Sequence, residues 1–264
     1  MSAASPGILA RIVDQRRVRQ GLAPGAFALP PDAGPRPPLA PLANPFTAAL
    51  AARRGRAVIA EVKLGSPRLG SLAGRIDAER TARAYAASGA AALSVVVEPD
   101  FFFGSSELLS RLRQASGLPA IAKDFVVDVR QIDAARAAGA DAILLIAGLY
   151  DRPTLRAFAA HARALGLAPL VETHAGEDVE LLAGDAWELV GVNHRDLATF
   201  GVDLELGRRL LPRLPGGALK VAESGIRSAA EIAALAEDGF DAFLIGESLL
   251  LAADPGAKLV ELLS

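Results

Sequence analysis

From Ala57 onward the sequence alternates between short apolar runs, most of which end in a polar residue or a glycine, and longer amphipathic segments. Short, nearly uninterrupted apolar runs are typical of strands buried on both faces of a parallel sheet. The predicted strands are Ala57–Lys63, Ala92–Val97, Ala120–Lys123, Ala142–Ile146, Pro169–Glu172, Leu189–Asn193, Leu219–Glu223 and Ala242–Gly246. The segments between them predict helices, for example Ala78–Ser88, Glu107–Ser116, Val129–Ala138, Pro153–Leu165 and Ala229–Glu237.

Parallel strands that alternate with helices predict an α/β fold, and the number of strands favours a single closed (β/α)8 TIM barrel over residues 57–264. The chain has 264 residues, which suits a fold of about 250 residues. The alternative is an open doubly wound sheet. No GxGxxG motif follows a predicted strand, so the dinucleotide-binding form of that sheet lacks its main sequence signal.

Residues 1–56 are predicted to be a helical extension and linker belonging to the same domain. A helix is expected over Gly7–Arg19, with Arg16, Arg17 and Arg19 on a solvated basic face. The Pro- and Ala-rich stretch Gly21–Pro45 predicts an irregular linker on the surface. Asn44 or Thr47 is expected to cap a short helix that runs through Ala52.

The composition argues against several classes of function. A net charge of −2 does not suit a general nucleic-acid-binding or anionic-membrane-binding surface. The sequence has no cysteine, no apolar run of membrane-spanning length and no signal-peptide pattern near its start, which suits a cytoplasmic protein. The three histidines have no metal-ligand spacing, so we expect no metal site.

The first predicted strand carries two charged side chains, Glu61 and Lys63, two residues apart. Strand side chains alternate between faces, so these two point the same way. A buried strand accommodates such charges only if they are paired or face a cavity. Gly65-Ser66-Pro67 then breaks the strand, and we expect the loop to Gly70 to fold over a ligand as a lid.

Other predicted strands also end in polar residues. Because catalytic residues of (β/α)8 barrels lie at the carboxyl ends of the strands, these side chains are expected to converge on one rim. They are Glu61, Lys63, Lys123, Asp124, Glu172, Asn193, Arg195, Glu223 and Ser224. Each desolvated charge is costly unless it is paired, so a functional cluster is favoured over isolated structural ion pairs.

Seven segments, in order, resemble one enzyme family. They are AEVKLGSPRLG, SVVVEPDFFFGS, AKDFVVDVRQI, PLVETH, VGVNHRDL, KVAESGI and FLIGESLL. Their order and spacing resemble indole-3-glycerol phosphate synthase, a (β/α)8 barrel of tryptophan biosynthesis. The resemblance implies a carbon–carbon lyase of the carboxy-lyase class. Such an enzyme closes 1-(2-carboxyphenylamino)-1-deoxyribulose 5-phosphate to an indole ring with loss of CO2 and water, and it uses no cofactor.

The resemblance also implies a phosphate-binding end of the site. The matching positions are Ser66, Arg195, Ser224, Gly225 and Gly246, followed by Glu247. Independently of the family, glycines let backbone N–H groups approach an anion closely, and a short helix after the last strand adds a favourable dipole. Glu247 is expected to contribute only its backbone, because its carboxylate would repel a phosphate.

For the chemistry, the resemblance gives Lys123 the role of general acid and Glu172 that of general base. Crowding by Lys63 and partial burial are expected to lower the pKa of Lys123. Lys63 is expected to bind the substrate carboxylate and is a second candidate acid, so the two lysines are not ranked for each proton transfer. Glu61 is the other carboxylate expected to steer protons.

Three further groups are expected to support this site. Asn193 is expected to orient Glu61 or a substrate hydroxyl, and Glu223 to hold the cluster by hydrogen bonds. Phe125, and the run Phe101–Phe103, are candidates to pack on the substrate's aromatic ring. His194 stands where many relatives have asparagine, and it is expected to be solvated.

Two other readings remain open at this stage. Phosphoribosylanthranilate isomerase, or another phosphosugar barrel, would share the phosphate end, but that isomerase usually needs a cysteine and this chain has none. An inactive barrel acting as a binding partner is the other. The expected partner is a phosphorylated small molecule, with no nucleic acid and no membrane. A monomer or homodimer is expected, with transient contacts to neighbouring tryptophan-pathway enzymes.

Overall fold

The computed structural model describes residues 7–31, 34, 36–40, 43–72, 74–196 and 199–264. The barrel strands are β1 (Ala57–Val62), β2 (Ala92–Val96), β3 (Ala120–Lys123), β4 (Ala142–Ile146), β5 (Ala168–Thr173), β6 (Leu189–Asn193), β7 (Leu219–Glu223) and β8 (Ala242–Ile245). They pair in parallel as a closed barrel in which β1 pairs with both β2 and β8. The predicted (β/α)8 barrel is confirmed, with strand ends within a residue of the expected ones.

Among the described residues, two helices precede the first strand, and the others follow the strands and cover the barrel from outside. In the described ranges they are α1 (Ile8–Gln20), α2 (Pro45–Ala51), α3 (Ala78–Ala87), α4 (Ser106–Ser116), α5 (Val129–Ala137), α6 (Arg152–Ala164), α7 (Gly176–Leu181), α8 (Glu205–Leu210), α9 (Ala229–Asp238), α10 (Glu247–Leu250) and α11 (Pro255–Leu263). Short 3-10 turns lie at Ala147–Leu149 and Leu211–Arg213. No helix in these ranges is long and apolar enough to cross a membrane.

The barrel interior has apolar layers below a polar one. On β1, β3 and β5, the apolar residues Ile59, Ile121 and Leu170 belong to one buried cluster inside the barrel. Two residues further along each strand stand Glu61, Lys123 and Glu172. Because strand side chains alternate with period two, each charged residue lies above its apolar neighbour on the inner face. The polar layer is therefore at the carboxyl end of the barrel.

Helix α2 closes the opposite end of the barrel. Phe46 and Leu50 of this helix are fully buried in the interior cluster. Asn44 caps the helix by accepting hydrogen bonds from the N–H groups of Phe46 and Thr47, so Asn44 rather than Thr47 is the cap. The amide of Asn44 donates to the carbonyls of Asp141 and Gly166, so the prediction of a surface linker is wrong at this residue. Residues 32–33, 35 and 41–42 of the predicted linker, like residues 1–6, lie outside the described ranges.

Helix α1 lies across the mouth of the barrel, where Ile8, Leu9 and Ile12 line a cavity. The prediction of a solvated basic face is wrong for Arg16, which is buried and forms an ion pair with Asp124, just after β3. Asp124 also accepts hydrogen bonds from Gln131 and from the N–H of Phe125. The burial of one arginine in a basic helix segment is hard to predict from sequence, because its acidic partner lies far along the chain.

Replacing Arg16 with methionine is expected to lower the free energy of unfolding by about 3 kcal/mol, because the buried carboxylate of Asp124 loses its cationic partner. Arg11→Met is the matched control, since Arg11 is exposed on the same helix. Urea unfolding followed by circular dichroism measures both variants. Equal stabilities of the two variants would contradict a structural role for the pair. A single unfolding transition in the wild-type chain would support the prediction that residues 1–56 belong to the barrel domain.

The connection after β1 begins with a small hairpin, in which Gly65–Ser66 pairs with Gly70–Ser71. Gly65 packs against the ring of Phe103, where an added Cβ would lie 2.5 Å from a ring carbon. The loop that carries Phe103 is organised by Glu98, whose carboxylate is fully buried and accepts hydrogen bonds from the N–H groups of Asp100, Phe101 and Phe102. The two loops therefore support each other at one side of the barrel mouth.

Candidate active site

A cavity of about 410 Å³ opens at the carboxyl ends of the strands. Glu223, Phe101 and Phe103 are predicted site residues that do not line it; those that do include Glu61, Lys63, Ser66, Lys123, Phe125, Glu172, Asn193, Arg195, Ser224, Gly225, Gly246 and Glu247. The β1 hairpin and helix α1 complete the wall. The described strand ends thus bring the predicted residues to one place, as the barrel hypothesis requires.

Lys123 stands at the centre of a group of carboxylates. Its Nζ lies 2.7 Å from Oε2 of Glu223 and 3.4 Å from Oε2 of Glu172. Burial alone would lower the pKa of Lys123, but the charges of Glu223, Glu172 and Glu61 raise it above the ordinary lysine value. The predicted lowering by Lys63 is therefore wrong, since the ammonium of Lys63 is paired with Glu61. Lys123 is charged at neutral pH.

Glu172 is buried and surrounded by groups that favour its ionised form. Burial would raise the pKa of Glu172, but the charges of Lys123 and His174 and hydrogen bonds from neighbouring side chains hold it below the usual glutamate value. Asn193 is one of the neighbours that lower this pKa. Its expected role, to orient Glu61 or a substrate hydroxyl, stays a prediction. A carboxylate held ionised beside a charged lysine has the protonation state that a general base needs.

His174 contacts Glu172, and the sequence analysis assigns it no role. Its Nε2 lies 3.3 Å from Oε1 of Glu172, on the side away from Lys123's contact with Oε2. His174 follows Glu172 by two residues, so the period-two rule would have placed both on one face. The histidine gives Glu172 a second cationic neighbour whenever the imidazole is protonated.

Glu223 lies behind Lys123 and is fully buried. It accepts the 2.7 Å hydrogen bond from Lys123, as the expected holding role requires. Burial raises the pKa of Glu223, and the neighbouring Glu172 adds to this, against the attraction of Lys123. Gly191 makes room for the carboxyl, because an added Cβ there would lie 2.2 Å from Oε1 of Glu223. The lysine is thus held from behind while its front faces the cavity.

Glu61 and Lys63 form a second acid–base pair on β1 and the residue after it. Nζ of Lys63 donates to Oε1 of Glu61 over 2.6 Å, which confirms that the two side chains point the same way. Burial would raise the pKa of Glu61, but Lys63 and Lys123 lower it overall. Gly246 lies against this carboxylate, since an added Cβ would be 2.4 Å from Oε1. Glycine is needed here for close packing on Glu61.

The predicted phosphate end lies where the connections after β6, β7 and β8 meet. Ser224 and Gly225 have positive φ angles of 66° and 83°, and an added Cβ on Gly225 would lie 2.4 Å from Cγ1 of Val202. Such consecutive left-handed residues form a backbone turn that can present N–H groups to an anion. Arg195 donates to the carbonyl of Phe200 over 3.2 Å. α10 begins at Glu247 without a side-chain cap.

The carboxylate of Glu247 contacts two arginine side chains at this end of the cavity. It forms ion pairs with Arg68 and with Arg195, the latter at 3.4 Å. Burial would raise the pKa of Glu247, but Arg68 and Arg195, with Lys63, lower it. The sequence analysis expects Glu247 to act only through its backbone and does not predict these two ion pairs of its side chain. Arg68 follows a proline in a loop, and nothing in the sequence indicates its partner.

The remaining predictions concern the phenylalanine and histidine side chains near the cavity. Phe125 lines the cavity beside Phe102, with ring centroids 6.0 Å apart. Of the run Phe101–Phe103, only Phe102 contributes to the cavity wall among the described residues. The prediction for His194 is wrong, because it is 1% exposed and its Nδ1 lies 2.9 Å from the carbonyl of Glu223. His194 follows the inward Asn193 and therefore faces outward, where it packs on Phe240.

Within the described ranges, no group of three or more acidic or histidine side chains has the arrangement of a metal site. The fold and the cavity define a (β/α)8-barrel enzyme with a lysine–glutamate site at the carboxyl ends of its strands. Solved structures with this fold include thiamine phosphate pyrophosphorylase from Pyrococcus furiosus (TM-score 0.57, 17% identity, 80% of this chain and 95% of that one). Another is 3-hexulose-6-phosphate synthase from Salmonella typhimurium (TM-score 0.60, 14% identity, 78% and 96%). At these identities the likeness concerns the fold alone.

Sequence comparison identifies the family. A model of the indole-3-glycerol phosphate synthase family matches residues 15–262. The indole-3-glycerol phosphate synthase of Carboxydothermus hydrogenoformans is 44% identical over 208 residues, 78% of this chain and 79% of the relative. Indole-3-glycerol phosphate synthase 2 of Streptomyces coelicolor is 44% identical over 220 residues, 83% and 85%. The chain belongs to the indole-3-glycerol phosphate synthase family, as its seven matching segments predict.

Proposed function

We propose that this chain is an indole-3-glycerol phosphate synthase, a carbon–carbon lyase of the carboxy-lyase class. It closes 1-(2-carboxyphenylamino)-1-deoxy-D-ribulose 5-phosphate to indole-3-glycerol phosphate, CO2 and water in tryptophan biosynthesis. The observation that carries the proposal is Lys123, held between Glu172 and Glu223 on the cavity wall. Membership of the family supports the same reaction. The enzyme acts in the cytoplasm on a phosphorylated small molecule, as a monomer or homodimer.

The two ends of the cavity suit the two ends of this substrate. Arg195, the Ser224–Gly225 turn and the start of α10 provide donors and positive charge for the phosphate. Lys63 is available for the substrate carboxylate, and the rings of Phe102 and Phe125 for its aromatic ring. When both ends of the substrate are bound, its ring carbon is held next to its carbonyl carbon. The binding energy thus keeps the two reacting atoms in the orientation that ring closure needs.

The proton transfers then follow from the charge states of the free site. Protonated Lys123 donates to the substrate carbonyl as the ring carbon attacks, so the oxygen becomes a hydroxyl. The carboxylate leaves as CO2 and restores the aromatic ring. The hydroxyl then leaves as water with a second proton, for which Lys63 is the second candidate donor. Ionised Glu172 takes the proton whose loss completes the indole. Its 3.4 Å contact with Lys123 provides a direct path for returning a proton to the lysine.

Rescue of a tryptophan auxotroph that lacks indole-3-glycerol phosphate synthase tests the proposal in cells. The wild-type chain should restore growth without tryptophan, and a Lys123→Met variant expressed at the same level should not. The same two genes are placed in a strain that lacks phosphoribosylanthranilate isomerase. Rescue of that strain alone would contradict the proposal and favour the isomerase. Binding of the product in a titration calorimeter without rescue of either strain would favour an inactive barrel.

A further inference from the structure

The ion pair between Arg68 and Glu247 has no part in the proton transfers. Arg68 stands at the tip of the β1 hairpin, and its guanidinium contacts Oε2 of Glu247, the first residue of α10. The same Oε2 lies 3.4 Å from Nη2 of Arg195, which follows β6. Side chains from three separate loops therefore meet at one carboxylate. All three line the cavity at the end that carries the Ser224–Gly225 turn.

The charges of this group are not balanced. Two guanidinium groups, those of Arg68 and Arg195, share the single carboxylate of Glu247. A phosphate ester carries a charge between −1 and −2 at neutral pH and offers three acceptor oxygens. It would therefore be a better counter-ion for two arginines than one carboxylate is. The planar fork of a guanidinium also matches the geometry of phosphate oxygens.

The contact between Arg68 and Glu247 is suited to exchange. The side chain of Arg68 is 43% exposed and that of Glu247 is 28% exposed, and ion pairs open to solvent are weak. The hairpin tip is a compact turn, since Oγ of Ser66 accepts a hydrogen bond from the N–H of Leu69. The long side chain of Arg68 can thus change partner without unfolding the hairpin. Arg195 keeps a second contact with the carbonyl of Phe200 and is less free to move.

We propose that Arg68 is a phosphate-binding residue and that Glu247 is an internal counter-ion, which holds Arg68 and Arg195 at the cavity until a phosphate group displaces it. The identity of the phosphate compound rests on the proposed function. On binding, Arg68 exchanges the carboxylate for a phosphate oxygen, and the hairpin tip becomes tied to the ligand. Glu247 keeps the two arginines in place but also competes with the ligand, so it lowers the affinity for phosphate.

Titration of inorganic phosphate into the protein, followed by calorimetry, tests this proposal without any turnover. Arg68→Gln is expected to weaken phosphate binding about tenfold, since a hydrogen bond between charged groups is lost. Glu247→Gln is expected to do the opposite and tighten binding, because the competing carboxylate is gone. Arg75→Gln is the matched control: Arg75 is exposed in the same connection and does not line the cavity. It should bind phosphate like the wild type.

Three results would overturn the proposal: unchanged phosphate affinity in Arg68→Gln, weakened affinity in Glu247→Gln, or no phosphate binding by the wild type. The second result would mean that the pair only clamps the hairpin. Steady-state kinetics add a separate readout, in which Arg68→Gln should raise KM for the phosphorylated substrate and change kcat little. If the wild type forms no indole while the phosphate titrations follow the expected pattern, the proposed function fails and the phosphate site stands.

Discussion

Replacing Lys123 with methionine is expected to leave the barrel folded and to lower kcat for indole formation by about 10²–10⁴-fold, the usual contribution of a general acid. Methionine keeps the length of the side chain and removes the charged group 3.4 Å from Glu172 and 2.7 Å from Glu223. One of these buried carboxyls then takes up a proton, which relieves their repulsion. Stopped-flow fluorescence of the indole product measures the rate, and circular dichroism checks the fold.

Lys220→Met is the matched control for this variant. Lys220 lies on β7 between Leu219 and Val221, which face the interior cluster, so its own side chain points out of the barrel. It does not line the cavity, and its replacement should leave kcat within about twofold of the wild type. Near-wild-type turnover in Lys123→Met would contradict the role of Lys123 as the acid.

A pH series separates the charge of Lys123 from its mere presence. An acid is active only while protonated, so activity is lost as the pH rises through its pKa. Because Glu223 and Glu172 raise the pKa of Lys123, wild-type kcat should show no alkaline loss up to the ordinary lysine value of about 10.4. Glu223→Gln removes the nearest carboxylate and should move the alkaline limb to lower pH. An unchanged profile would contradict the assignment.

Replacing Glu172 with glutamine is expected to lower kcat by about 10²–10⁴-fold, because the amide cannot accept the proton that completes the indole ring. The replacement keeps the shape of a side chain that is 2% exposed, so the protein should fold. Glu177→Gln, in the first turn of α7 and outside the cavity wall, is the control and should retain activity. Single-turnover measurement of indole formation compares the two.

The acidic side of the pH profile of kcat tests whether Glu172 is the base, and a His174 variant provides the comparison. A base is active only while ionised, so activity is lost as the pH falls through its pKa. Lys123 and His174 lower the pKa of Glu172, so the acidic limb of wild-type kcat should lie below the ordinary glutamate value of about 4.3. Because His174 is one of the neighbours that lower the pKa of Glu172, His174→Gln should move the limb to higher pH. If the acidic limb of the kcat profile is at the same pH in His174→Gln, Glu172 is not the base whose protonation abolishes activity.

The sequence was sufficient for everything that depends on the period of the strands. The alternation of apolar runs predicts the barrel, and period two places Glu61, Lys63 and Glu172 on the inner face. The same rule, applied to the residues near Glu172 and Asn193, would also have placed His174 on the side of Glu172 and His194 on the buried outer face. The wrong prediction for His194 came from judging that histidine alone rather than by its register.

Contacts between residues far apart in the chain could not be predicted from the sequence. Arg16 looks like a solvated helix residue until Asp124 is known to lie beneath it. The pKa of Lys123 depends on carboxylates from three other strands, so its direction follows only from their positions around the barrel. The partner of Arg68 is likewise set by the meeting of two loops. The roles assigned to these site residues stay predictions that the variants above test.

We expect this cavity to convert one phosphorylated anilino-sugar into an indole with loss of CO2. The most direct measurement supplies the purified chain with 1-(2-carboxyphenylamino)-1-deoxyribulose 5-phosphate and follows indole fluorescence and released CO2 together. We expect the wild type to give both signals in equal amounts and Lys123→Met to give neither. Consumption of the substrate without indole, or no reaction in a folded protein that still binds phosphate, would contradict it.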